Sequence, residues 1–94
     1  MRARYSAFAV RDAAYLLETW HPSTRPDRLR LDPTQQWSRL DVLTTSAGGL
    51  FDSEGTVEFR ATYRVGRRAA VLHETSRFVR ADGRWSYLGP LPQP

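Results

Sequence analysis

Apolar side chains recur along the first twenty residues at a spacing close to 3.6, which predicts α-helix. The pattern is interrupted at Asp12, a good N-cap residue that two alanines follow. We therefore predict two helices, over residues 2–10 and 13–19, with a bend between them. Pro22 ends the second helix. The apolar stripe comprises Tyr5, Phe8, Ala9, Leu16 and Trp20.

The next segment changes from helical pattern to loop. Residues 22–31 contain two prolines and a polar run without periodicity, which predicts a loop. Asp32-Pro33 is typical of an N-cap followed by the first helical position, so we predict a single helical turn that reaches about Trp37.

From Arg39 onward the period changes to two, which is typical of β-strands. Gly48 and Gly49 begin a predicted hairpin loop that extends to Gly55, and the last six residues are predicted as loop. The predicted strands cover residues 39–47, 56–65, 69–80 and 84–88. The pattern as a whole predicts an α+β fold, in which a helix pair and a short helical turn pack on an antiparallel sheet of about four strands.

Two turn signals fix the register of the predicted sheet. Gly66-Arg67 and Asp82-Gly83 are typical of two-residue hairpin turns. The first turn places Phe59 opposite Glu74, and the second places Phe78 opposite Tyr87. Both turns then give one apolar and aromatic face, which we expect to meet the helices, while His73 lies on the opposite face.

Glu74 and Ser76 are the polar exceptions on this inner face. A buried carboxylate is costly unless it is hydrogen-bonded or neutralised, and a desolvated carboxyl group is a common general acid or base. Glu74 is therefore a candidate catalytic residue, although a structural carboxylate, held by tyrosine or indole donors or lying near the sheet edge, is the preferred interpretation. His21 ends the second helix, where it could lie at the mouth of a pocket or serve only as a C-terminal cation that the helix dipole favours. The candidate pocket-lining residues are Tyr5, Tyr15, His21, Tyr63, Glu74, Ser76 and Trp85.

Composition restricts the chemistry of the chain. Among 94 residues with net charge +4 there is no cysteine, which excludes disulfides, cysteine-ligated zinc and a thiol nucleophile. His21 and His73 lie far apart and in no metal-binding motif, so we predict no metal and no cofactor. All cationic side chains are arginines, scattered along the chain, which argues against nucleic acid as a partner. Without a long apolar run or a secretory signal, the chain is expected to be cytoplasmic, with no membrane contact.

Five blocks of sequence carry a resemblance to a known family: RYSAF (4–8), DAAYLLETWHP (12–22), GTVEFRATYRV (55–65), LHETSRF (72–78) and DGRWSYLG (82–89). Together and in this order they resemble the YchJ-like family. The resemblance implies a nuclear-transport-factor-2-like, or cystatin-like, cone in which helices wrap against a strongly curved antiparallel sheet.

The resemblance also identifies what this sequence lacks. Members of that family usually carry a cysteine-rich, zinc-binding SEC-C segment upstream, and often another downstream, and the cysteine-free sequence has neither. Met1 matches a methionine inside longer relatives, so residues 1–94 are expected to form one domain that corresponds to the family's middle domain. A role of the zinc segment is not carried over, and the resemblance implies a fold but no reaction.

Two classes of function follow as hypotheses. The first is a protein-interaction, dimerisation or accessory module, since related cones often dimerise through the outer sheet face. Here that face would present Val71, His73, Val79 and several arginines to a second copy. The alternative is a pocket centred on Glu74 that binds a small molecule or acts as an acid/base enzyme. The sequence leaves the question of enzyme activity open.

Overall fold

The structure, a computed structural model, describes residues 1–47 and 52–91, over which the chain forms two helices and one four-stranded sheet. The predicted α+β fold is confirmed. The helices are α1 (Arg2–Ala9) and α2 (Ala13–Glu18). The strands are β1 (Gln35–Ala47), β2 (Glu54–Val65), β3 (Arg68–Ala81) and β4 (Arg84–Pro90).

The two helices form a bent pair because of the residues between them. Arg11 takes a positive φ of 58°, which ends the first helix. Asp12 then caps α2, because its side chain accepts a hydrogen bond of 3.0 Å from the backbone N–H of Tyr15. Leu16 of α2 is 0% exposed and is one of the buried apolar residues of the core.

The sheet is an antiparallel meander in the order β1-β2-β3-β4. Its register is the one predicted from the two turns, with Phe59 opposite Glu74 and Phe78 opposite Tyr87. Asp82 and Gly83 have φ values of 53° and 77°, as a type I′ turn requires. Local turn chemistry thus decides which side chains face the helices.

The start of the sheet differs from the prediction. The helical turn expected up to Trp37 is absent from this part of the described chain, and β1 begins at Gln35. Asp32 caps a tighter turn instead, because its Oδ1 accepts hydrogen bonds of 2.8 and 2.6 Å from the backbone N–H and hydroxyl of Thr34. Trp37 then pairs with Tyr63 in the sheet.

Several strands are longer than predicted. β2 begins two residues earlier than expected and β4 extends into the predicted C-terminal loop, to Pro90. Of the predicted loops, residues 48–51 and 92–94 lie outside the described residues.

Irregularities in the ladders bend the sheet around the helices. Register shifts lie between Trp37 and Arg39 and between Val42 and Thr44 of β1. In the β3–β4 ladder a third shift skips Leu88 of β4, opposite Arg77 and Phe78. Such bulges increase local twist and bend the strand that carries them. The bent sheet leaves open space between its inner face and the helices.

The segment after α2 is tied to the edge of β4. The backbone N–H of Tyr87 donates to the carbonyl of Thr19 at 2.9 Å, and that of His21 donates to the carbonyl of Tyr87 at 2.8 Å. These bonds form a parallel bridge between Trp20 and Tyr87. The bridge fixes one wall of the space beneath the helices.

Candidate functional site

Two cavities lie between the helices and the inner face of the sheet, and we refer to them together as the cleft. The larger cavity measures about 460 Å³ and the smaller about 170 Å³. Arg4 and Tyr87 line both cavities. The larger is also lined by Tyr15, Thr19, Val57, Phe78 and Trp85. The smaller is also lined by Tyr5, Phe8, Trp20, Trp37, Phe59 and Glu74.

Tyr87 is the central side chain of the cleft. It is 6% exposed, and its ring centroid lies 5.0 Å from that of Trp20 and 5.7 Å from that of Phe78. Its hydroxyl donates a hydrogen bond of 3.1 Å to Oε2 of Glu74. Burial raises the pKa of Tyr87, and the neighbouring Glu74 carboxylate raises it further. Tyr87 therefore remains a neutral phenol that donates to this carboxylate.

The two polar exceptions predicted on the inner face form one hydrogen-bonded group. The hydroxyl of Ser76, which is 1% exposed, donates to the same Oε2 of Glu74. Glu74 itself is half-buried and lines the smaller cavity. Hydroxyl donors thus hold one carboxylate oxygen of Glu74, which accords with the structural interpretation, while the residue still borders open space.

Arg4 is the feature of the cleft that the sequence pattern did not indicate. It is 6% exposed, and its guanidinium carbon lies 3.7 Å from the ring centroid of Tyr87 and 4.7 Å from that of Trp20. Burial lowers the pKa of Arg4. Its spacing is the one feature of the sequence that could have indicated burial, because Arg4 shares a helix face with the apolar residues Ala7 and Phe8.

Among the described residues, Nη1 of Arg4 and Nε1 of Trp20 are buried without a hydrogen-bond partner. Both groups are donors that cannot accept a hydrogen bond. Most buried polar groups in folded proteins are paired, and an unpaired one requires an explanation. The cleft therefore contains two donors with no acceptor.

The structure separates the candidate pocket-lining residues into three groups. Tyr5, Glu74 and Ser76 line the smaller cavity, whereas Tyr15 and Trp85 line the larger one. The other two candidates, His21 and Tyr63, are not among the described residues that line either cavity.

Local contacts explain the positions of these two residues. The ring of His21 turns to the loop, where Nδ1 lies 2.7 Å from the hydroxyl oxygen of Ser23. The ring centroid of Tyr63 packs 5.0 Å from that of Trp37.

The outer face of the sheet carries a separate polar cluster. As the register predicted, His73 lies on this face, and its Nε2 donates a hydrogen bond of 2.7 Å to the carboxylate of Glu58. Thr44 donates to the other carboxylate oxygen at 3.2 Å. These hydrogen bonds, chiefly that of His73, lower the pKa of Glu58. Val71 is 57% exposed nearby on β3.

Within residues 1–47 and 52–91, no group of three or more histidine or acidic side chains is placed to hold a metal ion. Neither helix in that part of the chain has the length and apolar character needed to cross a membrane.

Similar sequences agree with the architecture. A family model described as the YchJ middle NTF2-like domain matches residues 1–90. A UPF0225 protein of Streptomyces coelicolor is 56% identical over 87 residues, which cover 93% of this chain and 67% of that protein. Another, from Chromobacterium violaceum, is 52% identical over 97% of this chain and 70% of its own length.

Similar solved structures have the same fold. The solution structure of a SEC-C motif containing protein from Rhodopseudomonas palustris has a TM-score of 0.83 and 36% identity, over all of this chain and 76% of that one. A crystal structure of a SEC-C motif containing protein from Psychrobacter arcticus has a TM-score of 0.76 and 27% identity, over all of this chain and 59% of that one.

Proposed function

The chain belongs to the family of YchJ middle NTF2-like domains, and we propose that it binds a small organic molecule in the cleft between its helices and its sheet. The observation that carries the proposal is the larger cavity of about 460 Å³. Small-molecule sites in proteins are typically clefts of roughly 300–1,000 Å³ with apolar walls and a few polar groups. The cleft therefore supports the hypothesis of a small-molecule pocket more than the hypothesis of a protein-interaction module.

The polar groups of the cleft support binding more directly than catalysis. Oε2 of Glu74 accepts hydrogen bonds from the hydroxyls of Ser76 and Tyr87, so this oxygen is already engaged. An acid/base role would need a reacting group close to Glu74. We therefore propose that Glu74 acts by orienting the hydroxyls of Ser76 and Tyr87 in the wall of the pocket.

A fragment screen tests this function. We expect fragments of one or two rings to raise the melting temperature and to move the indole N–H signals of Trp20, Trp37 or Trp85 in two-dimensional NMR spectra. A fragment at about ten times its dissociation constant adds roughly 1.4 kcal/mol, or about 5–10 °C for a domain of this size.

Two matched tryptophan variants show whether the fragments occupy the cleft. Ala3→Trp places a large ring at the larger cavity and should weaken binding there. Ala9→Trp adds the same ring to an exposed position at the end of α1 and should leave binding unchanged. The proposal fails if fragments bind both variants equally and move none of the three indole signals.

The outer face of the sheet is a second candidate, for self-association. The observation in its favour is Val71, an apolar side chain that is 57% exposed on a β-sheet face. If two copies meet there, sedimentation velocity should show a dimer that Val71→Glu dissociates. Val10→Glu, at a 74% exposed position near the end of α1, should leave the dimer intact. A monomer at high concentration would exclude this function.

A further inference from the structure

We propose that the smaller cavity binds the carboxylate of a compact apolar acid, with the Arg4 guanidinium and the Trp20 indole N–H as its donors. This inference rests on the proposed binding function and specifies the class of ligand. It starts from the two buried donors that have no acceptor among the described residues, Nη1 of Arg4 and Nε1 of Trp20.

Aromatic rings surround the Arg4 guanidinium but give its Nη1 no hydrogen-bond acceptor. Tyr87, Trp20 and Phe8 surround the guanidinium, with ring centroids 3.7, 4.7 and 5.3 Å from its central carbon. These rings attract the cation through their faces. An N–H group still requires an acceptor atom, and a buried donor without one is unfavourable. Nη1 has almost no accessible surface in this conformation, so a ligand oxygen would reach it and remove that penalty once the neighbouring side chains move aside.

Trp20, which carries the second unpaired donor, also lines the smaller cavity. Its ring lies 4.7 Å from the guanidinium carbon of Arg4 and lines the smaller cavity with it. The bridge to Tyr87 fixes the backbone of Trp20, so the indole is held in place. A carboxylate has two oxygens and can accept from two donors at once, which suits this pair better than a single carbonyl oxygen.

The remaining walls of the smaller cavity indicate the chemistry of the rest of the ligand, beyond its carboxylate. They include the apolar side chains of Phe8, Trp37, Phe59, Ala61 and Leu72. The volume is about 170 Å³, and an apolar cavity of roughly 150 Å³ is large enough for a benzene-sized ring. The body of the ligand is therefore a single ring or a short branched chain.

Glu74 limits the charge of the ligand. It lines the same cavity, and its carboxylate would repel a second negative charge. Arg4 and Glu74 already offset each other in charge, so a monocarboxylate adds one negative charge to the cavity whereas a phosphate dianion would add two. Replacing Glu74 by glutamine should consequently tighten carboxylate binding, opposite to the effect expected of a change at Arg4.

Benzoate and benzamide are a suitable pair of probes because they share a ring and differ in charge. We expect the wild-type chain to bind benzoate about tenfold more tightly than benzamide, since charge-assisted hydrogen bonds are about twice as strong as neutral ones. Benzoate should also move the indole N–H signal of Trp20 downfield, as a new hydrogen bond does. Trp20→Phe identifies that signal and retains most of the ring.

Variants at two arginines of α1 provide the decisive comparison. Arg4→Met keeps an apolar chain over Tyr87 and should abolish the preference for benzoate. Arg2→Met, at an exposed position of the same helix, should retain it. If Arg4→Met does not fold, the preference of the wild-type chain for benzoate and the tighter benzoate binding expected of Glu74→Gln still test the proposal.

The outcomes separate this inference from the function on which it rests. Equal affinity for benzoate and benzamide, or an unchanged preference in folded Arg4→Met, would overturn the carboxylate site. If neutral fragments bind in the cleft and benzoate does not, this inference fails while the binding function stands. If no fragment of any class binds there, both fail.

Discussion

Replacing Tyr87 by alanine is expected to lower the free energy of unfolding by about 3–5 kcal/mol. Tyr87 is 6% exposed and is in contact with Trp20, Phe78 and the guanidinium of Arg4. The change would leave a void at the centre of the cleft and remove the hydroxyl donor of Glu74. Small domains are stable by only about 5–15 kcal/mol, so the loss is a large fraction of the total.

Urea unfolding followed by tryptophan fluorescence would measure this loss. Tyr15→Ala is the matched control, because Tyr15 is 36% exposed and lies on a helix, where alanine is favourable. We expect the control to change stability by less than about 1 kcal/mol. Equal losses in the two variants would show that Tyr87 is not the centre of the packing.

Leu16→Ala is expected to destabilise the chain by about 2–5 kcal/mol. Leu16 is 0% exposed, and α2 is only six residues long. So short a helix is marginal by itself and depends on tertiary packing. Loss of this side chain should therefore loosen α2 and the segment that follows it to Trp20.

The measurement combines equilibrium unfolding with amide hydrogen exchange. Leu43→Ala makes the same change at a 41% exposed position of β1 and should cost less than about 1 kcal/mol. In Leu16→Ala, the amide of Tyr87 should exchange faster, because it bonds to the carbonyl of Thr19 after α2. Unchanged protection of that amide would mean that the bridge does not depend on α2.

The sheet register could be predicted because it depends on local chemistry. Gly66 and the Asp82-Gly83 pair adopt the positive φ values that their turns require. A turn of fixed length then determines every pair of the hairpin, including Phe59 with Glu74. For the same reason the two turns alone were sufficient to place Glu74 and Ser76 on the inner face.

The start of β1 could not be predicted because the Asp32-Pro33 pair is compatible with both a helix start and a short turn. An aspartate before a proline can cap a helix, but its side chain can also close a short turn, as Asp32 does with Thr34. What decides is a distant contact. The centroid of the Trp37 ring lies 5.0 Å from that of Tyr63, across the sheet, and 6.0 Å from that of Phe8.

Arg4 escaped prediction because charge usually indicates solvent exposure. Its burial depends on Trp20 and Tyr87, which are distant in sequence and meet only when β4 pairs with the segment after α2. His21 is the opposite case, a predicted pocket residue that does not line either cavity. Its position at the end of a helix suggested the pocket mouth, whereas a local hydrogen bond to Ser23 holds it in the loop.

The bridge between Trp20 and Tyr87 also has a consequence for aggregation. An open sheet edge presents unpaired backbone groups to which a strand of another molecule can add. At Tyr87 those groups are already bonded to Thr19 and His21, so a foreign strand cannot add to β4 at this point without displacing the chain's own segment. The contact that closes the wall of the cleft is thus also a protection against fibrillar growth from this edge.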